Sequence, residues 1–149
     1  MMEEFLKFKN ELSRYKFLQE CILTSINFSN QLTDVELSFN YIYDKDGKLR
    51  SDLDRNQIVT IKLGLVQVFK IEGNLNYHQL SNPEMINWGL NEISIIKVLD
   101  NSTLLKEHIS LSAKLFHLEV LWETNRRIDI IFNSMKIYES PLTSASVSP

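Results

Sequence analysis

The side chains best placed for chemistry in this sequence stand near its end. His117 and Glu119 alternate with Phe116, Leu118, Val120 and Trp122, so in an extended segment they share the face opposite the apolar one. Asp129 alternates in the same way with Ile128 and Ile130, and a hairpin would set Asp129 and Asn133 on the strand beside His117 and Glu119. Imidazole and carboxylate groups on one sheet face can hold a cation or exchange protons. No third ligand converging with His117 and Glu119 is identifiable, so the pattern favours a solvated or partner-facing surface over a metal or catalytic centre.

Other constellations are weaker. Asp44-Lys45-Asp46-Gly47 opens like a calcium loop, but Lys48 and Arg50 fall where oxygen ligands are needed and no Glu closes it, which leaves a plain turn. His78 and His108 stand far from His117, in no metal-type spacing. Cys21 is the single cysteine, with no neighbouring His or basic residue at motif spacing; it reads as a core residue. Glycine-rich phosphate loops, the GxSxG elbow and paired-cysteine motifs are missing from a chain with four glycines. Trp88, in Ile86-Asn87-Trp88-Gly89-Leu90, is the most prominent loop aromatic. It reads as a plug over one end of a core, with a partner or ligand contact as the alternative.

The elements that must position these groups follow from periodicity. At 149 residues, with 44% hydrophobic and 23% charged, the chain fits one globular domain that needs neither disulfide nor metal to hold its core. Net charge −3 and a pI near 5.6 give no electrostatic case for general nucleic-acid binding. No segment approaches the ~20 apolar residues of a membrane span, and Met1-Met2-Glu3-Glu4 puts acids where a secretory signal carries bases. The expectation is a cytoplasmic protein without cofactor.

Phe5, Phe8, Leu12 and Tyr15 recur at spacings of three and four, predicting one amphipathic helix over residues 3–20. From Cys21 the period changes to two. Strands are predicted at 22–28, 35–41, 58–63, 66–71, 92–99, 116–123 and 127–132, with a bulge or corner at Gly64. Residues 101–112 are compatible with a short helix or a polar excursion. In the last hairpin a three-residue loop, Thr124-Asn125-Arg126, pairs Trp122 with Ile128, Val120 with Ile130 and Glu123 with Arg127. The expected fold is α+β: an N-terminal helix packed on a mainly antiparallel β-sheet of six or seven strands, curled into a sandwich or half-barrel, over residues 1–139. Residues 140–149 form a small-polar tail expected to be disordered.

The order of segments resembles small cytosolic immunity-type families of bacterial polymorphic-toxin systems. The resemblance rests on Ile58-Val59-Thr60-Ile61-Lys62-Leu63, Asn87-Trp88-Gly89-Leu90-Asn91-Glu92-Ile93, His117-Leu118-Glu119-Val120 and Ile128-Asp129-Ile130-Ile131-Phe132, and spans residues 21–139. Some of those families carry a cysteine just before the last strand ends; here that stretch reads Phe132-Asn133-Ser134-Met135-Lys136-Ile137. The resemblance implies a non-enzymatic protein that neutralises a cognate toxin by tight binding. Trp88, His117, Glu119, Glu123 and Asp129 are the partner-binding candidates; no catalytic residue or metal ligand is assigned. Two other readings stand beside this one: a small-ligand domain or enzyme with a pocket at the open end of the sheet near Trp88 and His78, and a homo-oligomeric protein joined through a strand edge.

Overall fold

In the computed structural model, residues 2–15, 18, 21–41, 57–73, 93–108, 114–122 and 126–141 are described. Helix α1 (Met2–Ser13) is followed by strands β1 (Ile22–Ser29), β2 (Asp34–Tyr41), β3 (Gln57–Gly64), β4 (Val68–Glu72) and β5 (Ile93–Leu99). A short helix α2 (Thr103–Glu107) then leads to β6 (Phe116–Trp122), β7 (Arg127–Phe132) and β8 (Ser134–Pro141). The strands form two four-stranded antiparallel sheets, ordered β1-β2-β3-β8 and β4-β7-β6-β5. The fold is α+β, as expected, with eight strands among the described residues rather than six or seven.

Period-two alternation turns one face of each sheet inward. Val35, Leu37 and Phe39 of β2, Val59, Ile61 and Leu63 of β3, Phe116, Leu118 and Val120 of β6 and Ile128, Ile130 and Phe132 of β7 belong to one buried cluster. Phe8 and Leu12 join it from α1, because residues four apart lie on one helical stripe. Phe8 stacks edge-on against Phe116 with centroids 5.0 Å apart and tilts toward Phe132 at 5.8 Å.

Helix α1 lies along the side of the sandwich, against β5 and β8, the edge strands of the two sheets. Along the opposite side Phe28 of β1 meets Phe69 of β4, 5.1 Å between centroids. Helix α1 thus covers one open side with apolar side chains, and a half-exposed aromatic contact bridges the two sheets on the other.

Several boundaries differ from expectation for identifiable reasons. Helix α1 ends at Ser13, not near Glu20: Tyr15 N–H donates to Leu12 O and Leu18 N–H to Tyr15 O, three-residue turns that deliver Leu18 and Cys21 fully buried into the core. At the expected corner, β3 ends with Gly64, where an added Cβ would collide with Ser134 Oγ, and Leu65 takes φ 50°. A register shift between Ile93 and Ile95 in β5 puts Ile93 in the core beside Val98 and leaves Ile95 exposed, whereas strict alternation would have put Ile93 and Ile95 on one face. β8 pairs with β3 through Pro141, two residues beyond the boundary expected at 139; residues 142–149 lie outside the described residues.

The α1 stripe gives a test of this packing. Phe8→Ala should lower unfolding free energy by about 3–5 kcal/mol, the range for deleting a buried aromatic ring. Leu6→Ala, on the exposed face, should change it by no more than about 0.5 kcal/mol. Denaturant unfolding of both variants measures the difference, and equal small effects would mean that α1 is not part of the cooperative core.

Candidate functional site

The last hairpin carries the site, and its register decides the site's composition. Phe116 pairs with Phe132, Leu118 with Ile130, Val120 with Ile128 and Leu121 with Arg127. This is two residues removed from the expected pairing. Trp122 N–H donates to Arg126 O, so the three linking residues are 123–125 rather than 124–126. The slip keeps every side chain on its expected face but changes its neighbours. Glu119 now stands directly opposite Asp129, and Arg127 stands opposite Leu121, not Glu123. Asn133, expected beside His117, lies instead at the corner after β7, where its N–H donates to Gly64 O and its side-chain amide to Lys114 O.

Two carboxylates directly across a ladder repel, and the surrounding residues answer that repulsion. Arg127, two residues from Asp129 and therefore on its face, binds it with two prongs, Nε to Oδ2 at 2.8 Å and Nη2 to Oδ1 at 2.9 Å. The same guanidinium reaches Glu119 Oε2 at 3.5 Å, and Lys97 of β5, paired with Glu119 in register, approaches Oε1 at 3.8 Å. His117 and Asp129 are 3% and 5% exposed, so their polar atoms need partners inside the protein. His117 Nε2 lies 2.7 Å from Asp129 Oδ1, and its Nδ1 lies 2.9 Å from Ser102 Oγ.

Those contacts define a directed chain. A carboxylate accepts, so Nε2 carries the hydrogen of its bond to Asp129, while Nδ1 shares the bond on the other side with the Ser102 hydroxyl, accepting from it when the ring carries no second hydrogen. Ser102 is also the N-cap of α2 and accepts the Leu105 N–H at 3.1 Å. One serine therefore caps the start of the short helix and anchors the buried imidazole. Burial alone would raise the Asp129 pKa, but the hydrogen bonds from Arg127 and His117 outweigh it and hold the carboxyl below its ordinary value. Hydrogen bonding to Asp129 in turn raises the Arg127 pKa against the cost of burial.

A cleft of about 410 Å³ opens over this network, bounded by β4, β6, β7 and α2. Lys70 and Glu72, themselves 3.4 Å apart, stand on the β4 side, and Thr103 and Glu107 on the α2 side. Of the expected site residues, His117, Glu119 and Asp129 are brought together here; Trp88 and Glu123 lie outside the described residues, as does the expected pocket near Trp88 and His78. Ser102, Arg127, Lys70 and Lys97 were missed as members. Arg127 was legible, since Arg127-x-Asp129 alternates on one face. Ser102, Lys70 and Lys97 come from separate segments and enter only through strand order and the seating of α2.

No protein-family model matches the chain, and no curated protein does. A match among solved structures is an uncharacterized protein from Neisseria gonorrhoeae, 18% identical, covering 78% of this chain and 88% of that one at a TM-score of 0.44. Among the described residues no helix is long and apolar enough to cross a membrane.

The depressed Asp129 pKa has a signed consequence. A carboxylate whose pKa is lower folded than unfolded contributes stability above its unfolded value, about 3.9, and loses it as pH falls through the folded value. Unfolding free energy should therefore drop as pH falls below about 4. Asp129→Asn should be less stable at neutral pH and show a shallower acid limb, as measured by denaturant unfolding from pH 7 downward. Parallel curves for the two proteins would remove Asp129 from the acid response.

Proposed function

We propose that this chain is a non-enzymatic, cytoplasmic protein-binding module of immunity type, which captures one toxin-like partner on the outer face of the β4-β7-β6-β5 sheet. The observation that carries this reading is the Arg127 fork. Its side chain is 38% exposed, yet Asp129 holds two of its nitrogens, His117 holds Asp129 from behind, and Ser102 holds His117. A charged group clamped on a strand loses little freedom when a partner docks, and arginine is among the residues that dominate binding energy at interfaces. Around it Lys70, Glu72, Lys97 and Glu119 present charges of both signs, a pattern suited to selecting one complementary partner. The toxin-directed part of the reading rests on the sequence resemblance alone.

A small-ligand or enzymatic role is the second reading, favoured by the hydrogen-bonded chain Ser102–His117–Asp129 at the base of a cleft. One feature weighs against it: Asp129 is shared between His117 and the two-pronged Arg127 guanidinium, which draws its charge away from the imidazole.

The deciding experiment is a pull-down from native lysate with the tagged protein, followed by reconstitution with the purified candidate. The expected result is a 1:1 complex in which Arg127→Ala costs about 2 kcal/mol or more of binding energy, Glu119→Lys weakens association, and co-expression relieves the partner's toxicity. Lack of a stoichiometric complex when the candidate is expressed, or a complex indifferent to both variants, would overturn the reading. Turnover of model esters that is lost in Ser102→Ala would establish the second one.

A further inference from the structure

We propose that His117, Glu119 and Asp129 form a site for a divalent transition-metal ion of the zinc or cobalt type, with the ion and the Arg127 guanidinium as alternative occupants. The inference shares its residues with the protein-binding reading but does not depend on a partner. The β6–β7 register sets Glu119 directly opposite Asp129, with His117 two residues from Glu119 on the same face. One ligand atom from each of the three lies within 4.8 Å of the others. Zinc takes imidazole nitrogen and carboxylate oxygen at about 2.0–2.2 Å, so ligand atoms around one ion stand roughly 3–3.5 Å apart. Reaching that spacing requires side-chain torsions to bring the farthest ligand atoms closer by about 1–2 Å.

Charge points the same way. The pair Glu119 and Asp129 violates the ordinary rule against like charges across a ladder, and such local violations concentrate at functional sites. Their two negative charges are now answered by two single positive ones, Arg127 and Lys97. One divalent ion supplies the same charge in a single position. The three residues provide one nitrogen and carboxylate oxygens, a set suited to zinc or cobalt; calcium's six to eight oxygens are not at hand. The cleft above leaves room for a fourth ligand from solvent or from a bound molecule.

Ser102 makes the exchange possible for the imidazole. With an ion on Nε2, the ring hydrogen moves to Nδ1 and donates to Ser102 Oγ, which has a second lone pair beyond the one taken by Leu105 N–H. The serine hydroxyl then turns its own hydrogen toward the cleft. An outer partner on the second ring nitrogen is the usual companion of a metal-bound histidine.

The test is titration of chelator-treated full-length protein with Co2+ and Zn2+, read by calorimetry, the visible spectrum of Co2+, and 15N NMR of the His117 ring. The expected result is one ion per chain, Co2+ displaced by Zn2+, and a shift of the ring hydrogen from Nε2 to Nδ1. Losing an outer partner costs about 10–100-fold in affinity; Ser102→Ala should fall in that range, and Glu119→Gln should weaken binding further. Arg127→Gln should tighten it by removing the competitor. Glu119 and Arg127 are the more exposed members, so their variants remain informative if Asp129→Asn does not fold. Lack of binding, binding unchanged by Glu119→Gln, or a His117 tautomer indifferent to metal would each overturn the proposal.

Discussion

A carboxylate that is almost wholly buried has to be met by donors, and the outer face of the second sheet is organised around meeting Asp129. Arg127 answers it from the same strand, His117 from the neighbouring strand, and Ser102 secures His117 from the start of α2. Leaving one such group unmet would cost more than any of these bonds returns, because a buried charge without partners forfeits its hydration. The seating of α2, the orientation of the imidazole and the aim of the guanidinium are therefore one linked arrangement. Two buried apolar side chains, Leu105 and Ile131, stand outside the main core cluster and accompany these polar contacts, Ile131 directly opposite His117.

That arrangement needs a stiff base, which the sandwich supplies. The inward faces of β6 and β7 are locked into the core by Phe116, Leu118, Val120, Ile128, Ile130 and Phe132, so the outward residues of the same strands cannot shift without moving the core. Close packing makes such displacement expensive. Helix α1 covers one open side and the Phe28–Phe69 contact bridges the sheets at the other, while the site sits on the outer face of the second sheet. Charged groups fixed on strands in this way suit recognition, where freedom already lost before binding need not be lost again.

The candidate site was legible in part, and the limits are physical. His117, Glu119 and Asp129 could be assigned to one face because alternation with large apolar residues leaves no other. Which carboxylate faced which could not be read, since sliding a strand by two residues preserves every inward and outward position. The three-residue link was anticipated, but moving it by one residue moves the pairing by two. β8 was missed as a strand because its inward series holds only Met135 and Ile137 before Glu139 breaks it, a charged composition common on edge strands. The helix was extended too far because Phe17 and Leu18 continue an apolar run; Leu18 instead reaches the core through turns after Ser13.

By itself, then, the sequence determined the class of the fold and, where alternation runs unbroken as in β2, β3, β6 and β7, the face on which each residue lies. Both follow from local periods, 3.6 for a helix and 2 for a strand, which every short window of the chain expresses. Tertiary structure alone decided the pairing register, the crossing of β8 to the first sheet, and the meeting of Ser102, Lys97 and Lys70 with the last hairpin. Those depend on contacts between segments far apart in the chain, chosen by how the whole core packs and how its buried polar groups are satisfied.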